Sequence, residues 1–358
     1  MKIVVIVHDF ELGGAERIAL RLAAHWAASG NDVTVISGSG EGPQRRFLPK
    51  SVKVISPARP IRRGMTRTGL SCFVRQHKEC LEGSVILLPG NYYFGIAWAI
   101  RRDLPNAVIF GKISNSMSRA GEPAIKGMSR RSLLRLKSRY LDKILVMHDD
   151  LVGEVAKSLR LSRDRLEVVG QPVIETTYPL TERMSSGINI VAAGRLTPQK
   201  NFDLLIDSIK LIKHDVFLRI LGDGPLRQDL ENKVKDLGLE KVVHFEGFQD
   251  DIYPYLEKAD LFILSSDFEG FSSVIVEAFS AGTPVISTDC SPMIRSLISD
   301  DRLGRVVEPR NSRAMAKAID DCLSDRTRDR DFIQKNAEPY RLNIVADRYL
   351  SVFEGGSK

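Results

Sequence analysis

Two carboxylates eight residues apart, Glu269 and Glu277, are the side chains in this sequence best suited to chemistry. They lie within 268–289, a stretch of mostly apolar and small residues. We predict that Glu277 lies on a short buried helix over 273–281, where its burial is costly unless the charge is hydrogen-bonded. The partner could be a backbone amide or an arginine, or else a pair of hydroxyl groups on a ligand, and the residue pattern leaves these alternatives open.

The elements around these carboxylates are predicted from the same stretch. Apolar runs at 259–265 and 283–287 predict two buried strands, and a crossover between parallel strands favours a helix between them. Ser272 or Ser273 can cap the start of that helix, and Gly282 suits its end. The first carboxylate is then expected in the loop that precedes the helix.

Two cations, Arg195 and Lys200, form a second candidate site. A predicted strand at 188–193 ends at Gly194, and a predicted helix at 201–212 begins directly after Lys200. Arginine and lysine beside a helix N-terminus suit a diphosphate, because arginine offers a forked donor and lysine a point charge. They could instead be basic residues on a surface loop, but a place at the carboxyl end of a strand favours the diphosphate site.

Three turns offer backbone groups to a ligand. Gly13 and Gly14 follow the predicted first strand, where glycine permits a tight turn and a helix N-terminus attracts anions. Gly222 follows another predicted strand, and Phe248 follows a third. The first turn is not GxGxxG, and no acidic residue clearly ends the second strand, so an NAD site is disfavoured. The turn of Gly13 and Gly14 could also have no function.

Strands and helices alternate along almost all of the 358 residues, which predicts an α/β protein with parallel sheets and helices on both faces. The segment 170–187, which contains proline, serine and threonine, interrupts this alternation and is predicted to be a linker. We therefore predict two doubly wound, Rossmann-like domains, 1–170 and 171–339, with ligands in the cleft at the carboxyl ends of their strands. The apolar positions of the last stretch, about 340–358, fit a packing helix.

The composition, with 43% apolar and 27% charged residues, is that of a soluble globular protein. The apolar run at the start of the sequence is too short for a signal peptide or a membrane span, and no other run approaches the length of a spanning helix. The cysteines show no CxxC pattern, so we expect reduced thiols in a cytosolic protein and neither disulfides nor a zinc site. They are Cys72, Cys80, Cys290 and Cys322.

Positive charge is concentrated in the first half of the chain. Residues 1–175 hold 28 Lys and Arg and 16 Asp and Glu, whereas the remainder holds 24 basic and 29 acidic residues, so the net charge of +7 comes from the first half. Eight basic residues at 119–143, interleaved with apolar ones, predict either a basic amphipathic helix on an anionic membrane or a solvated helix face. Nucleic acid is disfavoured because no stacking aromatics accompany them.

Together, these motifs resemble the retaining glycosyltransferases of family 4, which have the two-domain GT-B fold. The resemblance spans nearly the whole chain and is strongest over 188–289. The motifs that carry it are Gly194-Arg195-Leu196 with Lys200-Asn201, Gly222-Asp223-Gly224-Pro225, Glu269-Gly270-Phe271 with Glu277, and Gly13-Gly14-Ala15-Glu16 in the first half. The resemblance also implies that the last helix crosses back onto the N-terminal domain.

The resemblance implies a role for each of these residues. Arg195 and Lys200 would bind the donor diphosphate and stabilise the leaving group, with Glu269 beside the donor sugar. Glu277 would accept hydrogen bonds from the ribose hydroxyls, and backbone near Phe248 would frame the base. The donor site implied in this way comprises Gly13, Gly14, Arg195, Lys200, Gly222, Phe248, Glu269, Gly270, Phe271, Ser272 and Glu277. On the acceptor side, the candidates are Asn115 and Glu16.

The function implied is transfer of a sugar from a nucleotide-sugar, expected to be a UDP-sugar, with retention of configuration and without a metal or cofactor. The basic first half adds the expectation of a lipid-linked or membrane-borne glycan acceptor in cell-surface polysaccharide synthesis. The protein would then lie in the cytoplasm, peripheral to the inner face of the membrane. The alternatives are a nucleotide-sugar-binding protein without turnover and a transferase with a soluble acceptor. A two-domain epimerase or phosphorylase fits the motif spacing less well.

Three features depart from the family pattern or belong to no motif. Asn115 stands where many relatives carry a histidine near the donor sugar. The family pattern also has a Gly-rich turn that contains a glutamate after Asp289, and here 290–295 stands in its place. Either change could alter sugar choice. His148 is expected to be a surface residue. The one Asp-x-Asp sequence, 329–331, lies in a late charged stretch and is not expected to bind a metal.

Overall fold

The computed structural model describes residues 1–11, 14–117, 123–181, 187–325 and 329–356. Within these residues, the chain divides into two compact units. Unit 1 holds Met1–Pro172 and the segment that begins at Leu342, and unit 2 holds Val173–Arg341. In the described part of the chain, no helix combines the length and the apolarity that crossing a bilayer requires.

Unit 1 is a doubly wound sheet, and its described residues contain seven parallel strands and five helices between them. The strands are β1 (Lys2–Val7), β2 (Asp32–Ser37), β3 (Lys53–Ile55), β4 (Val85–Leu88), β5 (Val108–Ile113), β6 (Lys143–Val146) and β7 (Leu166–Val168). The helices are α1 (Gly14–Ala28), α2 (Thr66–Gln76), α3 (Phe94–Asp103), α4 (Ala124–Ser138) and α5 (Asp150–Leu159). The strand order is β3-β2-β1-β4-β5-β6-β7, so the topological switch point lies between β1 and β4.

Unit 2 repeats this plan with six parallel strands in its described residues. The strands are β8 (Ile188–Ala193), β9 (Val216–Leu221), β10 (Val243–Gly247), β11 (Leu261–Leu264), β12 (Val285–Thr288) and β13 (Gly304–Val307). The helices are α6 (Phe202–Ile209), α7 (Arg227–Asp236), α8 (Tyr253–Lys258), α9 (Ser273–Ser280), α10 (Ile294–Leu297), α11 (Ser312–Ser324) and α12 (Arg330–Lys335). The order β10-β9-β8-β11-β12-β13 places the switch point between β8 and β11.

The last helix, α13 (Leu342–Gly356), packs in unit 1 and not in unit 2. The indole Nε1 of Trp26 on α1 donates a hydrogen bond to the carbonyl O of Ala346 at 3.2 Å. Tyr349 and Phe353 stack against the same indole, with ring centroids 5.8 and 5.5 Å away. All three rings are essentially inaccessible to solvent, so α13 is part of the core of unit 1.

The predicted fold class, two doubly wound parallel sheets with a C-terminal helix that returns to the first, is confirmed. The central strands were predictable because both faces of a parallel sheet are buried; in β1, for example, 3–7 are fully buried. The edge strands β3 and β13 were missed. Both are only three or four residues long and carry exposed or half-buried residues, so they lack a continuous apolar run.

Candidate functional site

The turn that carries Lys200 lies at the switch point of unit 2, between β8 and α6. Asn201 adopts a left-handed conformation (φ 46°), and its side chain caps α6 by accepting a hydrogen bond from the amide of Leu204. The turn is joined to the end of β11 in three places. Ser265 Oγ donates to Lys200 O (2.8 Å), the amide of Asp267 donates to Gln199 O (2.8 Å), and Asn201 Nδ2 donates to Asp267 Oδ1 (2.9 Å). The loops on the two sides of the switch point therefore form one connected structure.

Lys200 and Glu269 form an ion pair within this structure. Lys200 Nζ lies 2.6 Å from Glu269 Oε1, and Ser266 Oγ donates to the same carboxylate oxygen at 2.7 Å. The side chains are 21% and 10% exposed, so the pair is largely shielded from water. The sequence predicted both residues at this site but not that they bind each other. Arg195, the other predicted cation, is exposed on the same segment.

Asp267 links this turn to a third segment, because Arg310 Nη2 lies 2.7 Å from Asp267 Oδ2. The Arg310 hydrogen bond, together with that of Asn201, holds the pKa of the Asp267 carboxyl below its usual value. Arg310 itself has a positive φ of 57°, which is uncommon for a residue with a side chain. Asp267 was not predicted to matter, although its place directly after a buried strand could have indicated a role.

This geometry makes Asp267 an acid-sensitive element of stability. Its pKa is lowered in the folded state, so its contribution is present above the unfolded pKa of about 4 and is lost as pH falls through the folded pKa. We therefore expect Asp267→Asn to lower the thermal midpoint at neutral pH, and the difference from wild type to shrink as the pH falls below about 4. Thermal unfolding followed by circular dichroism across this range checks it, with the exposed Asp236→Asn as control. A difference that does not change with pH would contradict the assignment.

Glu277 lies on α9, as predicted, but this helix is buried on one side only. Ile275, Val276 and Phe279 are in the core, whereas Glu277 is half-buried. The expectation of a charge on a wholly buried helix was therefore too strong, and the desolvation cost is smaller than the sequence implied. The helix N-cap is Ser272, whose hydroxyl makes no capping hydrogen bond.

The segment 270–272 joins the loop of Glu269 to α9. Ser272 Oγ is buried and has no hydrogen-bond partner among the described residues. Phe271 packs against Tyr340, with ring centroids 5.5 Å apart. Gly270 O accepts a hydrogen bond from Ser291 Oγ at 3.2 Å. The Ser272 hydroxyl is thus a buried polar group that no described residue satisfies.

Glycines hold the ends of three neighbouring strands together. The amide of Gly194 donates to Leu221 O (2.9 Å), and the amide of Gly222 donates to Gly247 O (2.7 Å). Gly222 has a φ of 131°, and a Cβ added there would overlap the carbonyl O of Gly194. Phe248, directly after β10, is 67% exposed. The ends of these strands therefore lie together at the carboxyl edge of the sheet, with the Phe248 side chain exposed next to them.

We expect Gly222→Ala to destabilise the protein by about 3 kcal/mol or more, because the new methyl group both strains φ and overlaps backbone. Gly238→Ala is the matched control, since Gly238 also has a positive φ (67°) but open space around its Cβ position. Strain alone there should cost about 1–2 kcal/mol. Urea midpoints of the two variants check the difference. Equal losses would show that the close approach of the strand ends does not matter.

In unit 1, Glu16 is held by a buried tyrosine. Tyr93 Oη donates to Glu16 Oε1 at 2.6 Å and accepts a hydrogen bond from the amide of His8 at 3.0 Å. Burial, followed by the charge of Glu16, raises the pKa of Tyr93, so it stays protonated as a donor. Glu16 therefore joins the start of α1 to the loop after β4. Sequence reasoning missed Tyr93, because no pattern linked it to a site 77 residues away.

The remaining predicted residues of unit 1 are placed separately. Gly14 begins α1, and Gly13 lies outside the described residues. Asn115 is exposed, two residues beyond β5. His148 pairs with Asp150 (3.0 Å) in the segment after β6. Within the described residues, no hydrogen bond or ion pair joins Gly14, Asn115 and His148 to one another.

Lys112, which the sequence analysis did not single out, is fully buried on β5. Its Nζ donates to Gln171 Oε1 at 3.0 Å. Burial lowers the pKa of Lys112 to about 7. A lysine inside an otherwise apolar strand was the signal that could have drawn attention to it.

Within the described residues, no three His, Cys, Asp or Glu side chains are grouped so that they could hold a metal ion. Asp329, in the Asp-x-Asp sequence, caps α12 by accepting a hydrogen bond from the amide of Phe332 at 2.9 Å. Its carboxylate therefore has a structural partner.

Comparison with known proteins relates unit 2 to a known family. The profile of the glycosyl transferases group 1 family matches 182–338, which covers nearly all of unit 2. Residues 182–338 are thus similar to the glycosyl transferases group 1 family. The relationship that the sequence suggested from its strand-end motifs is thereby confirmed, and the GT-B type of fold with it.

Curated relatives of this family match parts of the chain. The N-acetylgalactosamine-N,N'-diacetylbacillosaminyl-diphospho-undecaprenol 4-alpha-N-acetylgalactosaminyltransferase of Campylobacter jejuni is 36% identical over 160 residues, 45% of this chain and 42% of that protein. The lipopolysaccharide core biosynthesis glycosyltransferase LpsE of Rhizobium meliloti is 30% identical over 167 residues, 46% of this chain and 48% of that protein. The matched parts thus span less than half of each relative.

Solved structures match over the whole length. The lipopolysaccharide outer core galactosyltransferase WaaB, in its apo form, superposes with a TM-score of 0.80 at 20% identity, covering 99% of both chains. HepE of Anabaena in complex with UDP gives 0.78 at 18% identity, covering 99% of this chain and 100% of that one. At these identities the superpositions establish the fold of the chain.

The segment 290–295, which departs from the family pattern, has a defined place in unit 2. Cys290 O accepts a hydrogen bond from the amide of Glu269 at 3.0 Å, so the segment supports the loop that carries the ion pair. Burial raises the pKa of the Cys290 thiol to about 11, so it remains a neutral thiol. Arg295 pairs with Asp289 at 2.7 Å at the surface. The departure therefore places a small neutral side chain behind Glu269.

Proposed function

We propose that this protein is a retaining glycosyltransferase that moves a sugar from a UDP-sugar to a lipid-linked glycan acceptor in cell-surface polysaccharide synthesis. The observation that carries the proposal is the connected structure at the switch point of unit 2. There, Arg195 and Lys200 lie on one strand-end loop and Glu269 on the other. The family match, the UDP-bound state of HepE and the diphospho-undecaprenol acceptor in the name of the Campylobacter relative support it.

In this proposal, Arg195 and Lys200 bind the donor diphosphate. Breaking the bond between the sugar and the phosphate builds negative charge on the departing phosphate, and fixed cations stabilise that charge in the transition state. Ser272 Oγ, at the start of α9, would add a neutral donor. The proposal assigns the diphosphate to these side chains and includes no metal.

Glu277 and the end of β10 bind the nucleoside. Glu277 accepts hydrogen bonds from the ribose hydroxyls, which is consistent with its half-buried place on α9. The backbone at Gly247 and Phe248 contacts the base. A carboxylate that accepts two hydroxyl donors provides affinity without taking part in the chemical step.

We expect Glu277→Gln to raise KM for the nucleotide-sugar by about 10- to 100-fold, because hydrogen bonds to a charged group contribute about 1.5–3 kcal/mol. kcat should change much less, since the ribose is bound equally in the ground and transition states. Steady-state kinetics with the identified donor measure both constants, and the exposed Glu240→Gln serves as control. A loss in kcat alone would place Glu277 at the reacting sugar instead.

Retention is assigned to attack by the acceptor hydroxyl on the same face from which the phosphate leaves. Glu269 is held by Lys200 and Ser266 through one carboxylate oxygen, and the proposal gives this carboxylate no covalent role. Its role in the proposal is electrostatic support of the positive charge that develops on the sugar.

A panel of labelled nucleotide-sugars tests the activity. The full chain is incubated with each donor and with bacterial membranes, and lipid-extractable and soluble products are separated. Transfer from a UDP-sugar into the lipid fraction, with the anomeric configuration of the donor retained by NMR, is the expected result. Binding without transfer or hydrolysis would show a nucleotide-sugar-binding protein, and inversion would overturn the retaining mechanism.

The proposal includes peripheral contact with the inner face of the membrane through unit 1. Its support is the excess of basic residues in the first half of the sequence, since anionic lipids attract such surfaces. A membrane-borne acceptor would then reach the protein by diffusion in the bilayer.

A further inference from the structure

The outward face of α4 is apolar, which the sequence left undecided. Four large side chains of this helix are exposed: Ile125 (79%), Met128 (60%), Leu133 (47%) and Leu136 (49%). The inner face is formed by Gly127, Leu134 and Ser138, which are buried. A helix that only covered a sheet would turn its large apolar residues inward and its polar residues outward. The exposed apolar residues of α4 therefore need another explanation.

Basic residues border this apolar face on both sides. With about 100° of rotation per residue, the four exposed apolar residues and two serines span one arc of the helix, with Ile125 and Leu136 near its centre. The residues on one border are Lys126, Arg130 and Lys137, and those on the other are Arg131 and Arg135. Arg139, directly after the helix, adds a further basic residue. No acidic residue occurs from Pro123 to Tyr140. We call this surface, the apolar arc with its two basic borders, the α4 face.

The neighbouring helix, α3, also exposes a large apolar side chain next to a basic one. α3 packs against α4, and its Trp98 is 49% exposed. The guanidinium of Arg102 lies 5.7 Å from the Trp98 ring centroid. An exposed tryptophan beside an arginine suits the boundary between lipid tails and headgroups.

We propose that the α4 face lies in the headgroup region of an anionic phospholipid bilayer, with its apolar arc inserted and its basic borders on lipid phosphates. This rests on the proposed function, because a membrane-borne acceptor is what would make such a surface useful. A second copy of the chain fits poorly, since pairing α4 with α4 would bring two sets of basic rows together. Nucleic acid would leave the aliphatic residues without a stacking partner.

Vesicle flotation of the full chain tests the proposal. Wild type is expected to float with vesicles of phosphatidylcholine and phosphatidylglycerol and much less with phosphatidylcholine alone. Part of the binding should persist at high salt, because insertion of apolar side chains is not screened. Ile125→Ser combined with Leu136→Ser should weaken partitioning about 20-fold, since each residue gives up part of its burial in lipid.

Matched controls separate insertion from other causes. Leu211→Ser combined with Phe217→Ser removes two exposed apolar residues of unit 2 (48% and 46%) and should leave flotation unchanged. Lys126→Gln combined with Arg139→Gln should lose binding to the anionic vesicles mainly at low salt. Thermal midpoints and UDP binding are compared with wild type in each case, so that misfolded variants are recognised.

The outcomes are distinct. Flotation of the Ile125/Leu136 variant equal to wild type, or equal losses in the unit 2 control, would overturn the proposal. A change in mass on gel filtration without a change in flotation would assign the α4 face to a protein contact instead. Absence of nucleotide-sugar binding in wild type would refute the proposed function. The flotation result would still decide whether the α4 face binds the bilayer.

Discussion

Replacement of Lys200 by alanine is expected to lower kcat/KM for sugar transfer by about 100- to 1,000-fold, or about 3–4 kcal/mol. Lys200 is held in place, since both its backbone and its ammonium group are bonded to the loop after β11. It can therefore meet the charge of the departing phosphate with little reorganisation. Initial rates measured below KM give the ratio directly.

Two comparisons make this result specific. Lys317→Ala removes an exposed lysine that pairs with Asp321 one helical turn away, and it should leave the rate unchanged. Lys200→Ala combined with Glu269→Gln restores charge balance where the single variant leaves Glu269 without its counter-ion. If the double variant recovered full activity, the defect would lie in the stranded carboxylate, and Lys200 would not be a phosphate ligand.

Replacement of Glu269 by glutamine is expected to act in opposite directions on binding and on transfer. In the ligand-free protein, Glu269 competes with any diphosphate for Lys200, because the two side chains are 2.6 Å apart and mostly shielded from water. Without the carboxylate charge, UDP should bind about five- to tenfold more tightly, a gain of about 1 kcal/mol. Transfer should fall about 100-fold or more, because the positive charge on the reacting sugar loses its support.

Calorimetric titration with UDP and rate measurements on the same preparation test both halves of this prediction. The control is Asp321→Asn, which breaks a surface pair and should change neither quantity. Weaker UDP binding in Glu269→Gln would show that Glu269 positions Lys200 and does not compete with the ligand. Unchanged transfer would remove Glu269 from the catalytic residues.

The sequence predicted that the candidate site lies at strand ends because strand ends are a property of local patterns. Arg195 and Lys200 follow the apolar run of β8, and Glu269 follows that of β11, so each could be assigned to the carboxyl edge of a parallel sheet. That β8 and β11 are neighbours depends on strand order, which no local pattern contains. The ion pair between residues 69 positions apart was therefore not predictable.

Close packing limited the prediction in a different way. The sequence indicated that Gly222 opens the backbone, but its required conformation comes from the approach of Gly194 on the adjacent strand. In the same way, amphipathicity identified the basic helix in 119–143 without showing which side faces the sheet. The start of that segment, including Arg119, lies outside the described residues. Only the measured exposure of Ile125 and its neighbours showed an apolar outer face.

The helix α13 has a consequence for how the protein is made. Unit 2 is continuous in sequence, so all of its residues have been synthesised by Arg341, before the last helix exists. Unit 1 is begun first, but Trp26 can be covered by Tyr349 and Phe353 only after all of unit 2 has been synthesised. Domains generally fold in the order of their synthesis. Here the order is reversed for completion, because the core of unit 1 stays open until a segment that follows unit 2 in the sequence has been made.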